Sequence, residues 1–241
     1  MVDVLYNARY AGVGSKQRVI GYDMRSPNAI VEVQSNLPNH FDGSAVIENL
    51  VIDGDDSNGD IAVGSTGILL KNVYNCLVRN VTIMNCEVGI RVQVTDGFWS
   101  QSNRFEHIRM INVKVGIVFE GTSNANDFSY TTIDDVRISL AGAPALSNVG
   151  IKVGSNANLY NAFIAATVWL CSSGGKALEV MSGGQLKYSL VNLEVESAGT
   201  GLYVNSGGIV LGNQSFLLTV MGVTAAITNN GVCNDVVLAS A

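Results

Sequence analysis

Glu194 and Glu196 stand two residues apart, with Val195 between them. On an extended strand such residues share one face, about 7 Å apart. That lies within the roughly 6.5–9.5 Å that separates acid and base in inverting glycoside hydrolysis. The two glutamates are therefore the candidate catalytic residues. Any Glu-x-Glu on a strand meets this condition, so the pair gains meaning only from its neighbours. Arg109, Arg137 and Trp169 are expected on the same face, with Trp169 between Arg137 and the two glutamates. A second tryptophan, Trp99, is expected on a loop. An indole stacks on a pyranose ring, a guanidinium holds a carboxylate or hydroxyl, and carboxylates do acid–base work. These four are the candidate substrate-binding residues. The alternative is an ordinary solvated strand face on which water tolerates like charges.

Other groups weigh less. Asp53, Asp55, Asp56 and Asp60 crowd one loop with the hard oxygen atoms that calcium prefers. The EF-hand frame fails, with Asn58 at the glycine position and Gly64 where a glutamate closes the loop. A solvated turn is expected there, and no metal or cofactor is assigned. Asp134 and Asp135 are adjacent at a strand end and are expected to point to opposite faces, Asp135 at a corner. Glu106 and Glu120 face outward and are able to meet carboxylates one coil away at about 5 Å, a retaining spacing. In the loop 95–100, Phe98 and Trp99 stack on a ligand, pack on the coil below or meet another subunit. Cys76, Cys86, Cys171 and Cys233 lack metal spacing and read as small buried apolar residues, with a disulfide left open.

The elements that position these groups come from a repeat. A word of Gly or Ala, apolar, any, apolar starts at positions 67, 89, 116, 150, 177, 201 and 226, the last degenerate, at intervals of 22 to 34 residues. A second word, polar–apolar–any–apolar, starts at Asn49, Asn80, His107, Asp135 and Asn192. A third series is led by Asn75, Asn103, Asn126, Asn158 and Asn213. Three short alternating strands per period make one triangular coil, and coils must stack to bury their inner faces. The fold class expected is all-β, a parallel β-helix of about seven three-strand coils. Stacked asparagines are expected to bond through their amides at the corners, and the recurring glycines to serve positive φ or close approach. Strands are also expected near residues 18–22 and 29–33.

Composition sets bounds. The chain has 241 residues, 47% hydrophobic and only 14% charged, which is too apolar for disorder. No run approaches the roughly 18 apolar residues of a membrane helix. The net charge of −6 disfavours nucleic acid and anionic membrane as partners. The start, Met1-Val2-Asp3-Val4, is not a signal peptide, so export is expected through a removed signal or as part of a virion.

The stretch from Ala45 to Val92, with Ile47-Glu48-Asn49-Leu50-Val51-Ile52-Asp53-Gly54 and then Gly67-Ile68, resembles the pectin-lyase-like superfamily. Asn103-Arg104-Phe105-Glu106-His107-Ile108, Gly116-Ile117-Val118-Phe119 and Asn126-Asp127-Phe128 look like bacteriophage tailspike and appendage β-helices. The resemblance spans residues from about 45 to 238. It implies a right-handed, single-stranded β-helix over 45–241, continuous with a first coil or cap in 1–44. It also implies a carbohydrate-binding or polysaccharide-degrading module of viral or secreted type. The partner implied is a polysaccharide or cell-surface glycan, the assembly a homotrimer, and the location extracellular or virion. If the chain is an enzyme, it is a glycoside hydrolase or polysaccharide lyase using groove carboxylates. The alternative is a non-catalytic structural or adhesive β-helix, a fragment of a larger trimer. The family's catalytic signatures are missing: His40 and His107 are not flanked by glycines, and Arg25-Ser26-Pro27-Asn28-Ala29-Ile30 lacks the final arginine of the lyase motif.

Overall fold

The computed structural model describes residues 29–34, 45–55, 61–95, 98–122, 126–142, 148–170, 172–197 and 199–240, together with the backbone strands 3–6, 9–13 and 16–20. Among the described residues there is no helix, and the strands stack as a parallel β-solenoid of about six turns. Seven recurrences of the Gly/Ala word enclose six periods, so the count of seven coils falls by one.

Three sheets form the sides. The first carries the Gly/Ala word, and its central apolar residues stand in register from rung to rung: Ile68, Ile90, Ile117, Ile151, Leu178 and Leu202. The second carries the polar-led word, with Val51, Thr82, Arg109, Arg137, Thr167, Glu194 and Thr219 in one outward column. The third is shorter and begins at Asn126–Asp127. At the N-terminal end, Asp3–Tyr6 pairs antiparallel with Ala29–Gln34, and Arg9–Val13 with Lys16–Ile20. These antiparallel strands occupy the edges of the first and second sheets, which blunts them as templates for pairing.

The strands of the second sheet alternate most clearly. In Leu190–Glu196, Val191, Leu193 and Val195 are buried while the residues between them are not. The inward residues fuse into one continuous core running the length of the stack. The recurring glycines serve close approach, not positive φ. A Cβ on Gly116 would meet the carbonyl oxygen of Gly150 at 2.5 Å and Cδ1 of Ile138 at 2.7 Å.

The corners are left-handed. Asn49, Asn80, His107 and Asp135 have φ of 59°, 52°, 52° and 48°, and asparagine is the commonest such residue. Its short amide tolerates this region at low cost. Amide ladders form there: Asn80 Nδ2 donates to Asn49 Oδ1 at 2.5 Å, Asn85 Nδ2 to Asp53 Oδ1 at 2.9 Å, and Asn112 Nδ2 to Asn85 Oδ1 at 2.8 Å. Asp53 is thus committed to the stack, while Asp56 and Asp60 lie outside the described residues. The third asparagine series is not one ladder. Asn103 Oδ1 accepts from the Cys76 amide at 2.9 Å and Asn213 Oδ1 from the Ser189 amide at 3.1 Å, while Asn126 and Asn158 belong to the third sheet. Loops of unequal length shift the asparagines between corner and strand.

Cys76 and Cys86 are buried and Cys233 half-buried, and none of the three forms a disulfide; Cys171 lies outside the described residues. Burial pushes Cys76 up to about 11 and Cys86, with Asp53 adding to the effect, up to about 12. Reactivity needs the thiolate. In the native protein Cys76 and Cys86 are expected to resist Ellman's reagent at pH 8 and to react within minutes in guanidinium. Peptide mapping of the labelled thiols checks this; rapid native labelling of Cys86 would contradict the packing described.

Candidate functional site

The outward face of the second sheet changes character at Phe163–Trp169. Its outward residues are Phe163, Ala165, Thr167 and Trp169, large at both ends and small between. Leu190–Glu196 follows in register, placing Leu190 on Phe163, Asn192 on Ala165, Glu194 on Thr167 and Glu196 on Trp169. Two raised borders therefore enclose a low floor. The result is a groove of about 510 Å³, lined by Asp134, Asp135, Ala165, Thr167, Asn192, Glu194, Leu217 and Thr219. It crosses four strands along the solenoid axis, about 14 Å at the usual strand spacing.

The groove begins where one corner column ends. Ile133 pairs with Ile164 and Val136 with Ala166, so Asp134 and Asp135 together oppose Ala165 alone. Such a bulge re-aims side chains. The positive φ of Asp135 breaks the two-residue alternation, and both aspartates face solvent. They do not point to opposite faces, as strict strand periodicity predicts. The next two strands have no positive-φ residue at that level, so they run straight and present Ala165 and Asn192 as floor.

Charge is unevenly spread around this end. Asp135 occupies the corner stack, accepting from His107 Nδ1 at 3.0 Å and from Arg137 Nε at 3.4 Å. The His107 hydrogen bond foremost, with Arg137 beside it, outweighs the slight burial and holds the Asp135 carboxyl below the usual range. Asp134 is in register with Glu106 one coil back, and Glu106 is itself paired with Arg104. Glu120 lies on the first sheet, where Arg91 Nη1 binds it at 2.8 Å.

Trp169 Nε1 donates to Glu196 Oε2 at 2.6 Å, which fixes the indole along one border. Glu194 Oε2 accepts from Thr167 Oγ1 at 3.2 Å. Trp169 faces outward as expected, but it stands level with Ser139 and Glu196; Thr167 takes the place between Arg137 and Glu194. The tryptophan and threonine positions are one outward place, two residues, apart along the strand. Of the sequence candidates, Glu194 lines the groove, and Glu196, Trp169 and Arg137 border it. Arg109 faces out one coil before Arg137, beyond the groove, and makes no ion pair among the described residues. Trp99 is elsewhere, half-buried in a corner segment whose Ser100 amide bonds the carbonyl of Asp127 at the third sheet. Phe98 beside it packs on the core. The floor residues Ala165 and Asn192 carry no reactive group; sequence reasoning passed over Ala165 and read Asn192 only as the leader of a strand word, like the left-handed Asn49 and Asn80, whereas it lies within a straight strand. Their signal was the large–small–small–large run of Phe163, Ala165, Thr167 and Trp169.

The trough offers an aromatic border, a small-residue floor, and carboxylates and an amide as hydrogen-bonding groups. No family model, curated protein or solved structure matches the chain.

Proposed function

We propose that the chain is a pectin-lyase-like β-helix of viral-tailspike or secreted type whose second-sheet groove binds a linear polysaccharide or cell-surface glycan along the solenoid axis. One observation carries this: the four-strand trough with Trp169 on its border and Asn192, Glu194, Asp134 and Asp135 along it. The stacked strands repeat at about 4.8 Å, so the site is periodic along the direction in which a sugar chain is periodic. Trp169 supplies the stacking face, and the carboxylates and amide accept and donate to hydroxyls. A homotrimer and an extracellular or virion location accompany this function.

The test is a glycan array followed by titration calorimetry. Wild-type protein is expected to bind a linear glycan, and Trp169→Ala to weaken it at least tenfold while thermal stability stays within a few degrees. Absence of any glycan ligand at millimolar concentration would leave a structural or adhesive β-helix as the function.

A second function, hydrolysis, is favoured by the placement of carboxylates on two sides of the groove. Asp134 and Asp135 lie two strands from Glu194 and two residues along, roughly 12 Å between backbones at the usual spacings, so the carboxylates approach the inverting range only by leaning toward each other across the groove. Glu194→Gln is then expected to retain binding and to abolish release of reducing ends; unchanged release would remove Glu194 from the chemistry.

A further inference from the structure

A second left-handed column runs along the corner between the third and second sheets. Asn75, Ser102, Tyr130, Asn161, Tyr188 and Gly212 occupy it, with φ of 55°, 57°, 59°, 50°, 56° and 65°. The rungs are joined by backbone bonds from Asn75 to the Gln101 carbonyl, Ser102 to Ser129, Tyr130 to Tyr160 and Asn161 to Lys187. Three of the six positions carry asparagine or glycine, the residues suited to this backbone, and a fourth carries the small serine. Tyrosine is not suited to it, because a bulky side chain at positive φ is a genuine outlier. Outliers of this kind concentrate at functional sites.

Neither tyrosine is placed there to fill the core, since Tyr130 is 58% exposed and Tyr188 52%. Tyr188 is nevertheless held in place. Its ring lies 6.2 Å from that of Tyr160, and a Cβ on Gly212 would approach its Cε1 to 3.0 Å, so the glycine leaves room for it. Tyr160 in turn donates from Oη to Gln185 Oε1 at 2.7 Å. Phe163 and Leu190, each about two-fifths exposed, continue this surface to the border of the groove.

We propose that Tyr130 and Tyr188 are a stacking platform for a polysaccharide running parallel to the solenoid axis, extending the groove outward across the corner. The ligand class rests on the function proposed above. The tyrosines are two rungs apart, about 9.6 Å at the usual strand spacing, close to the length of two linked pyranose rings in an extended chain. Each ring offers one open face to every second sugar, and Asn161 between them offers an amide to the sugar that is not stacked. The platform explains why the chain places a strained residue type at two corners where asparagine serves elsewhere.

The experiment pairs affinity with stability in Tyr130→Asn, Tyr188→Asn and the double variant. The ligand is the polysaccharide that wild-type protein binds best on the array. The double variant is expected to weaken binding at least tenfold, each single variant severalfold, and the melting temperature is expected to hold or rise as the backbone relaxes. Unchanged affinity in the double variant, with Trp169→Ala still defective, overturns the platform and leaves the groove standing. A melting temperature several degrees lower also overturns it, because the tyrosines would then be packing elements. If wild-type protein binds no glycan, groove and platform fall together.

Discussion

Phe119→Ala is expected to lower the unfolding free energy by about 3–5 kcal/mol. Phe119 is fully buried in the first-sheet strand Val115–Gly121. Its ring meets Phe128 edge-on, with centroids 5.5 Å apart and planes at 72°. Val92 lies beneath it and Val153 above in register, both fully buried. Truncation removes the transfer free energy of the ring, the aromatic pair and contacts on both sides. The cavity collapses poorly, because the ladder bonds hold strands at about 4.8 Å whatever fills the space between them. Urea denaturation measures this directly, with an expected fall in melting temperature of about 2–4 °C per kcal/mol for a chain of this size. A loss below about 1 kcal/mol would mean that the core at this coil is loosely packed. Phe119 is distant from the groove, so glycan affinity of the folded fraction should not change.

Gly116→Val is expected to be comparably harmful, about 3 kcal/mol or more, for the opposite reason. The added Cβ would sit 2.5 Å from the carbonyl oxygen of Gly150 on the next rung, with Ile138 also in the way. The nearest obstacle is backbone, so relief requires two rungs to separate. In a solenoid each coil contacts only its neighbours, and a wedge in mid-stack weakens the one interface joining the two halves. The control is Ala226→Val at the equivalent position of the last first-sheet strand, Ala225–Asn229, where no further rung lies above among the described residues. It is expected to cost less than about 1 kcal/mol. Equal losses at the two positions, read as denaturation midpoints, would show that the rung above does not impose the glycine.

Much of this fold was legible because the repeat imposes one physical condition many times. An apolar residue every second position, returning every 22 to 34 residues, has no way to be buried except by stacking. The outward column of Arg109, Arg137 and Glu194 was legible for the same reason, since alternation decides which side chains face out. Trp169 marks the limit. Alternation placed it on the outer face correctly, yet the register sets it level with Ser139 and Glu196, one outward position beyond the column of Arg137 and Glu194. Asp134 and Asp135 mark a second limit, since one positive φ turned both to solvent.

The sequence by itself therefore determined the coil, its first two strand series, the inward core and the outward residues of the regular strands, all of which follow from local periodicity. Only the tertiary structure decided which outward residues are neighbours. That depends on the register between rungs 22 to 34 residues apart, and register depends on where the left-handed corners fall, which residue type alone does not mark: histidine, aspartate and even strained tyrosine adopt that backbone here beside asparagine. The groove floored by Ala165 and Asn192, the distance of the Trp99 loop from that groove and the strained tyrosines of the second corner column all arise at that level.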